Sequence, residues 1–232
     1  VVGGGGGGRG SGGGVADNTE EAREARELEK MFMSHVYRIA VDGLAPVLAA
    51  AVDPSGQSRA EELTATRDTV LATLTHAASS HTSAGIRKNA FQALTKFVTL
   101  WVPTAEQTAA GVQESVPGFR RFAAETVAAE CCVRAVLRGD LDPRDAGCAA
   151  AVAESVTFQR TMLERCGDDF ARHLVGTVLP PLGIDADVGS EYVRVVKLAA
   201  PKEARSFIAE CQKVVQARAP GVVQQRVKCT RA

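Results

Sequence analysis

Apolar side chains recur along much of this chain at the three- and four-residue spacing of a helix face. The clearest case is Ile86–Trp101, where Ile86, Ala90, Leu94, Phe97, Val98 and Trp101 stand at offsets 0, 4, 8, 11, 12 and 15. That is one stripe of an amphipathic helix packed on a single side. A preceding helix, from about Arg59 to Ser79, carries its own stripe at Leu63, Val70, Leu71 and Leu74, and the short polar turn Ser80–Gly85 joins the two. Neither helix can bury its face alone, so the pair predicts a HEAT-type hairpin stacked against neighbours.

The same texture continues on both sides. Asn18 is placed to cap a helix with Glu20 and Glu21 in its first turn and a stripe at Leu28, Phe32, Val36 and Ile39. Gly43 and Pro46 interrupt it, Val47–Val52 continues it briefly, and Asp53–Gly56 reads as a turn. Val102–Val116 reads as a loop. Pro117 opens a helix to about Arg138 whose segment Val127–Leu137 is apolar on most sides, hence buried. Asp142 and Pro143 predict the start of the next, which runs to Cys166 with Ala149, Val152, Val156 and Leu163 inward. A shorter helix carries Phe170, Leu174 and Val178 and stops at Pro180–Pro181. Val188, Tyr192, Val195, Val196 and Ala199 mark another, and Pro201 opens the last with Ala204, Phe207, Ile208 and Cys211. Eight helices in about four antiparallel pairs predict an all-α, HEAT-like helical-repeat solenoid over residues 18–218.

Composition changes the picture at the two ends. Residues 1–17 begin with a run holding ten glycines and read as a flexible linker, because such a segment cannot offset its ordering entropy by burial. Residues 219–232 read as a flexible basic tail. The net charge is zero, with 27 basic and 27 acidic residues, but it is unevenly spread. Val15–Lys30 holds six acids against three bases, and Pro201–Ala232 seven bases against two acids. A basic end favours phosphate in some proteins, yet a solvated tail is the simpler reading. The chain starts at Val without Met and without a secretory signal, and is expected to be a piece of a longer product. No apolar run reaches the roughly 18 residues of a membrane span, so no membrane association is expected.

Candidate chemistry is sparse. The six cysteines form no CxxC, no histidine stands at ligand spacing from any of them, and no metal or other cofactor is expected. Most of them lie in or beside helical stripes as small hydrophobes, which fits a reducing compartment. His35, His76, His81 and His173 show no metal or acid–base spacing. The run Asp140–Asp145 reads as a helix start rather than a carboxylate site. No nucleophile–base arrangement is visible, so an enzyme is not expected.

The segment Lys88-Asn89-Ala90-Phe91 to Leu100-Trp101 resembles a helix near the C-terminal end of the exportin-T family. The likeness continues in order through Pro117-Gly118-Phe119, Glu154-Ser155-Val156, Leu163–Gly167 and Leu179–Leu182, over about Leu63 to Cys211. The resemblance implies a curved HEAT-repeat receptor of the importin-β-like kind that binds tRNA together with Ran-GTP and shuttles between nucleus and cytoplasm. It implies Ran-GTP contact through N-terminal repeats absent here, passage by way of nuclear pore proteins, and a C-terminal arch that helps embrace the RNA. Folded RNA is recognised largely by shape and by phosphate and ribose contacts. The expected tRNA-binding residues are therefore basic and off the apolar stripes: Lys88, Lys96, Arg87, Arg120, Arg121, Arg134 and Arg138. Two other readings stay open, a HEAT scaffold for protein partners and another cargo receptor of the karyopherin superfamily. A tRNA interface requires Lys88, Lys96 and some of the arginines to be unpaired on the concave side, whereas a scaffold for protein partners is expected to show an apolar or mixed-charge groove instead.

Overall fold

A computed structural model describes residues 19–41, 45–49 and 57–218. The glycine-rich start, the turn at 53–56, the Asn18 cap and the basic tail after residue 218 lie outside the described residues. Helices α1 (Glu20–Val41), α2 (Ala45–Ala49), α3 (Gln57–Ser80), α4 (Ala84–Trp101) and α5 (Ala105–Ala109) come first. Phe119–Phe122, Ala123–Arg134 and Ala135–Arg138 follow without a break and together form α6. Its middle section is π-helical, with the Ala135 N–H reaching back five residues to the Glu130 carbonyl. α7 is Ala149–Cys166; α8 joins Asp168–His173 to a π-helical turn at Leu174–Val178; α9 is Ala186–Leu198 and α10 is Pro201–Arg218. There is no β-strand among the described residues.

The helices form two layers, as a stacked solenoid requires. α1, α4, α7 and α9 lie side by side in one, and α3, α6 and α8 in the other. The pairs α3–α4, α6–α7 and α8–α9 are successive hairpins, and α10 packs across the C-terminal end of α6 and against α7. Gln212 of α10 is fully buried there, donating to the Val136 carbonyl (2.8 Å) and accepting from Arg144 Nη2 (2.8 Å).

α4 sits at the centre, flanked by α1 and α7 and covered by α3. Its buried side chains include Ile86, Ala90, Leu94, Phe97, Val98 and Trp101, the stripe the spacing predicts, and Phe91 besides. Trp101 stacks on Phe97 at 4.3 Å between centroids and meets the edge of Phe119 at 4.8 Å. Burying each large side chain stabilises by about 1.5–3 kcal/mol, so this element anchors the fold.

Five expectations change in the structure. On α1 the buried face is Met33 and Val36 with Tyr37 beside them; Leu28 (64%) and Phe32 (48%), expected inside, are exposed. The expected loop 102–116 contains α5, held by a reciprocal cap between Thr104 and Gln107. α7 starts at Ala149, not at Asp142, because the acids close local turns instead. Asp142 Oδ1 accepts from the Arg144 N–H (2.9 Å) and Asp145 Oδ1 from the Gly147 N–H (2.8 Å). Val188 lies exposed on α9 rather than inward. Cys131, Cys132, Cys166 and Cys211 are free and buried, as small hydrophobes should be, whereas Cys148 is disulfide-bonded and departs from that pattern.

Candidate nucleic-acid interface

The solvent arc of α4 is set by what its apolar arc must do. With the Ile86-to-Trp101 stripe committed to the core, the polar residues left outside are Lys88, Asn89, Gln92, Thr95, Lys96 and Thr99, all half-buried, with Leu100 exposed beside them. Lys88, Gln92 and Lys96 recur every four residues, so they follow one ridge within about 80° of arc, the two lysines about 12 Å apart along the axis. Neither lysine makes an ion pair or hydrogen bond among the described residues. Between them, Gln92 Nε2 donates to Glu154 Oε1 of α7 at 2.6 Å, a direct polar bridge between adjacent helices of the layer. The spacing of Gln92 from both lysines was legible in the sequence; the arrival of Glu154 from 62 residues away was not.

The arginines expected beside these lysines are placed elsewhere. Arg87 is wholly buried, so it is part of the core and has no surface to offer a phosphate. Its Nε donates to the His81 carbonyl and its Nη1 to the Asp140 carbonyl (3.3 Å), tying the α3–α4 turn to the α6–α7 connection. Burial lowers its pKa, with Asp140 and Cys131 acting in the opposite direction. The periodicity already hinted at this, since Arg87 sits next to Ile86 and one turn before Phe91.

Arg120, Arg121, Arg134 and Arg138 lie on α6, in the other layer from the Lys88–Lys96 ridge. Arg120 faces Glu114 (3.3 Å) and donates through Nη2 to Thr108 Oγ1 (2.9 Å). Arg121 holds both carboxylate oxygens of Glu125 at 3.0 Å, and Arg134 pairs with Glu130. Arg138 is exposed at the far end of α6. The structure thus brings Lys88 and Lys96 together and separates them from the arginines of α6. The two arginines of α7 are structural clamps. Arg160 donates to the Val196 (2.9 Å) and Ala199 (2.7 Å) carbonyls, and Arg165 to that of Val102 (3.2 Å).

Two clefts open along the layer of α3, α6 and α8. One, of about 290 Å³, lies between α3 and the start of α6 over Leu71, Val116, Phe119 and Phe122. The next, of about 250 Å³, lies between α6, α7 and α8 over Ala124, Met162 and Phe170, with Glu114, Arg121 and Asp169 at its rim. No group of His, Cys, Asp and Glu among the described residues could hold a metal ion, and no described helix is long and apolar enough to cross a membrane.

A family model described as Exportin-T matches residues 14–216. Among curated proteins, the Exportin-T of Oryza sativa subsp. japonica is 30% identical over 192 residues, covering 83% of this chain and 18% of the relative. That of Arabidopsis thaliana is 30% identical over 174 residues, 75% of this chain and 16% of the relative. That of Aspergillus niger is 28% identical over 145 residues, 60% and 14% respectively. The chain therefore spans less than a fifth of the length of these relatives. No solved structure matches it significantly.

Proposed function

The chain belongs to the exportin-T family, and from that premise we propose that it is the C-terminal part of a nuclear export receptor. The receptor binds tRNA together with Ran-GTP and shuttles between nucleus and cytoplasm, without catalysing a reaction. The observation that carries the tRNA reading is the pair Lys88 and Lys96, two cations on one ridge with no acid on either. Unpaired cations are free to displace counterions from a phosphate backbone, whereas the arginines of α6 would first have to leave Glu114, Glu125 or Glu130. Arg120, Arg121, Arg134 and Arg138 lie in the other layer and stand outside this ridge, so the expectation that some arginines join the lysines on one face is not met, and Arg87 supports the ridge only from within the core. Ran-GTP contact falls to repeats outside this chain. The test is binding of the chain to folded tRNA and to an unstructured RNA of equal length across a salt series. Preference for tRNA, with affinity falling steeply as salt rises, supports the reading. Equal binding to both RNAs, or none to either, removes this part of the chain from the RNA interface.

A second reading, as a surface for protein partners, is favoured by the two clefts over Phe119, Phe122 and Phe170. Nuclear pore proteins are partners of this kind when they present apolar side chains. Phe122→Ala and Phe170→Ala test it by pull-down against such a protein, with loss of capture expected. The two readings use different layers and are compatible.

A further inference from the structure

The carboxylate of Glu154 is held in an unusual place for an anion if the α4 ridge receives nucleic acid. Building on that reading, we infer that Glu154, positioned by Gln92, makes the ridge selective for ribose over deoxyribose. Gln92 lies one turn from Lys88 and one turn from Lys96, and its amide donates to Glu154 Oε1 at 2.6 Å. That bond uses one of the four N–H and lone-pair directions of the Gln92 amide and one carboxylate oxygen. Glu154 Oε2 and the Gln92 carbonyl oxygen are left as acceptors without a partner in the described structure. The ridge therefore reads cation, acceptor, cation over about 12 Å.

An A-form duplex offers the complementary order. Its wide, shallow minor groove exposes 2′-hydroxyls between the phosphates that border it, and the 2′-hydroxyl is a hydrogen-bond donor that DNA lacks. With RNA on the ridge, the lysines meet phosphates and a 2′-hydroxyl donates to the carboxylate, a charge-assisted bond of the strong kind. With DNA in the same place, Glu154 loses water against a polyanion and keeps only its Gln92 donor, so Oε2 is left without one. An unsatisfied buried charge is costly, so the carboxylate rejects DNA more than it attracts RNA. Discrimination by an unmatched polar group is the sharper form of specificity. Gln92 is a positioning residue here, since it holds the Glu154 carboxylate against the middle of the ridge.

The experiment measures equilibrium affinity of the 232-residue chain for a tRNA transcript and for DNA of the same sequence, comparing wild type, Glu154→Gln, and Lys88→Ala with Lys96→Ala. Wild type is expected to favour RNA by about tenfold or more, since base and sugar contacts of this kind are worth that ratio. Glu154→Gln keeps the side-chain shape, and its DNA affinity is expected to rise about tenfold with RNA affinity within about twofold, which collapses the ratio. The lysine pair variant is expected to weaken both ligands together and leave the ratio unchanged. An unchanged RNA-to-DNA ratio in Glu154→Gln, with the lysine variant still weakened, overturns this inference alone. Full RNA affinity in the lysine variant, or no RNA binding by wild type, overturns the interface and this inference with it. Should Glu154→Gln unfold, Gln92→Ala takes its place, because freeing the carboxylate is expected to lower the ratio; an unchanged ratio there again overturns the inference.

Discussion

Arg87 carries its charge into the core, where carbonyl oxygens match its Nε and Nη1 and Nη2 is buried without a partner, with the Asp140 carboxylate acting on it only through space. Removing one partner of a buried polar network leaves the others unsatisfied, and here two carbonyls would be orphaned beside a cavity. Arg87→Ala is expected to cost about 3 kcal/mol in urea unfolding, while tRNA affinity of the folded variant stays within about twofold. A large drop in affinity with unchanged stability would return Arg87 to the interface. The buried thiols make a second residue-scale case. Burial pushes Cys131 up to about 12 and Cys211 up to about 11, and raises Cys132 and Cys166 as well. Little thiolate forms at pH 8, so a disulfide reagent should label these four only after unfolding, which mass spectrometry of labelled peptides reads directly. In the unfolded chain they titrate near 9.0. Above that pH the unfolded state has lost protons the folded state keeps, so stability falls as pH rises beyond about 9.

At the scale of elements, the helices were legible where one stripe decided the face, and misread where local chemistry or a second stripe competed. α4 buries its whole predicted apolar stripe because those side chains lie on one arc, with Arg87 at the edge of that arc drawn in against expectation. α1 holds two apolar stripes, and the sequence could not say which would meet α4; the structure buries Met33 and Val36 and leaves Leu28, Met31 and Phe32 outside. That exposed stripe should drive self-association of the isolated chain at high concentration. Leu28→Glu with Phe32→Glu is expected to reduce light scattering while changing stability by less than about 0.5 kcal/mol, as surface changes usually do. The start of α7 was misplaced because Asp142 and Asp145 can cap turns as readily as helices. Asp185 does cap α9, accepting from the Val188 N–H at 2.9 Å, and Tyr192 one turn further on donates its buried hydroxyl to Gln159 Oε1 at 2.9 Å. Asp185→Ala is expected to cost about 1 kcal/mol. Tyr192→Phe is expected to cost about 1–2 kcal/mol, through the unsatisfied Gln159 oxygen. Both are measurable by thermal melting.

For the whole molecule, the two-layer stack explains why the expected basic set divides. Helices at neighbouring places in the sequence alternate between layers, so lysines on α4 and arginines on α6 face different surfaces even though few residues separate their helices. Spacing along the chain could identify basic positions off each stripe, but not which layer a helix joins or which acid reaches it. Three of the four α6 arginines are paired with glutamates, two of them through contacts on the same helix turn, and the i,i+4 spacing of Arg121 with Glu125 and Arg134 with Glu130 was visible all along. Of the expected basic set, the Lys88–Lys96 ridge of α4 is what remains without an acid partner among the described residues, and the tRNA reading rests on it. The most direct test is tRNA affinity of Lys88→Glu with Lys96→Glu across a salt series, beside Arg121→Glu as a paired-arginine control. The double reversal is expected to weaken binding by more than tenfold and to flatten the salt dependence by roughly two phosphate contacts, with Arg121→Glu nearly silent. Equal affinity and equal salt slope in the double reversal, or a larger effect from Arg121→Glu, would contradict it.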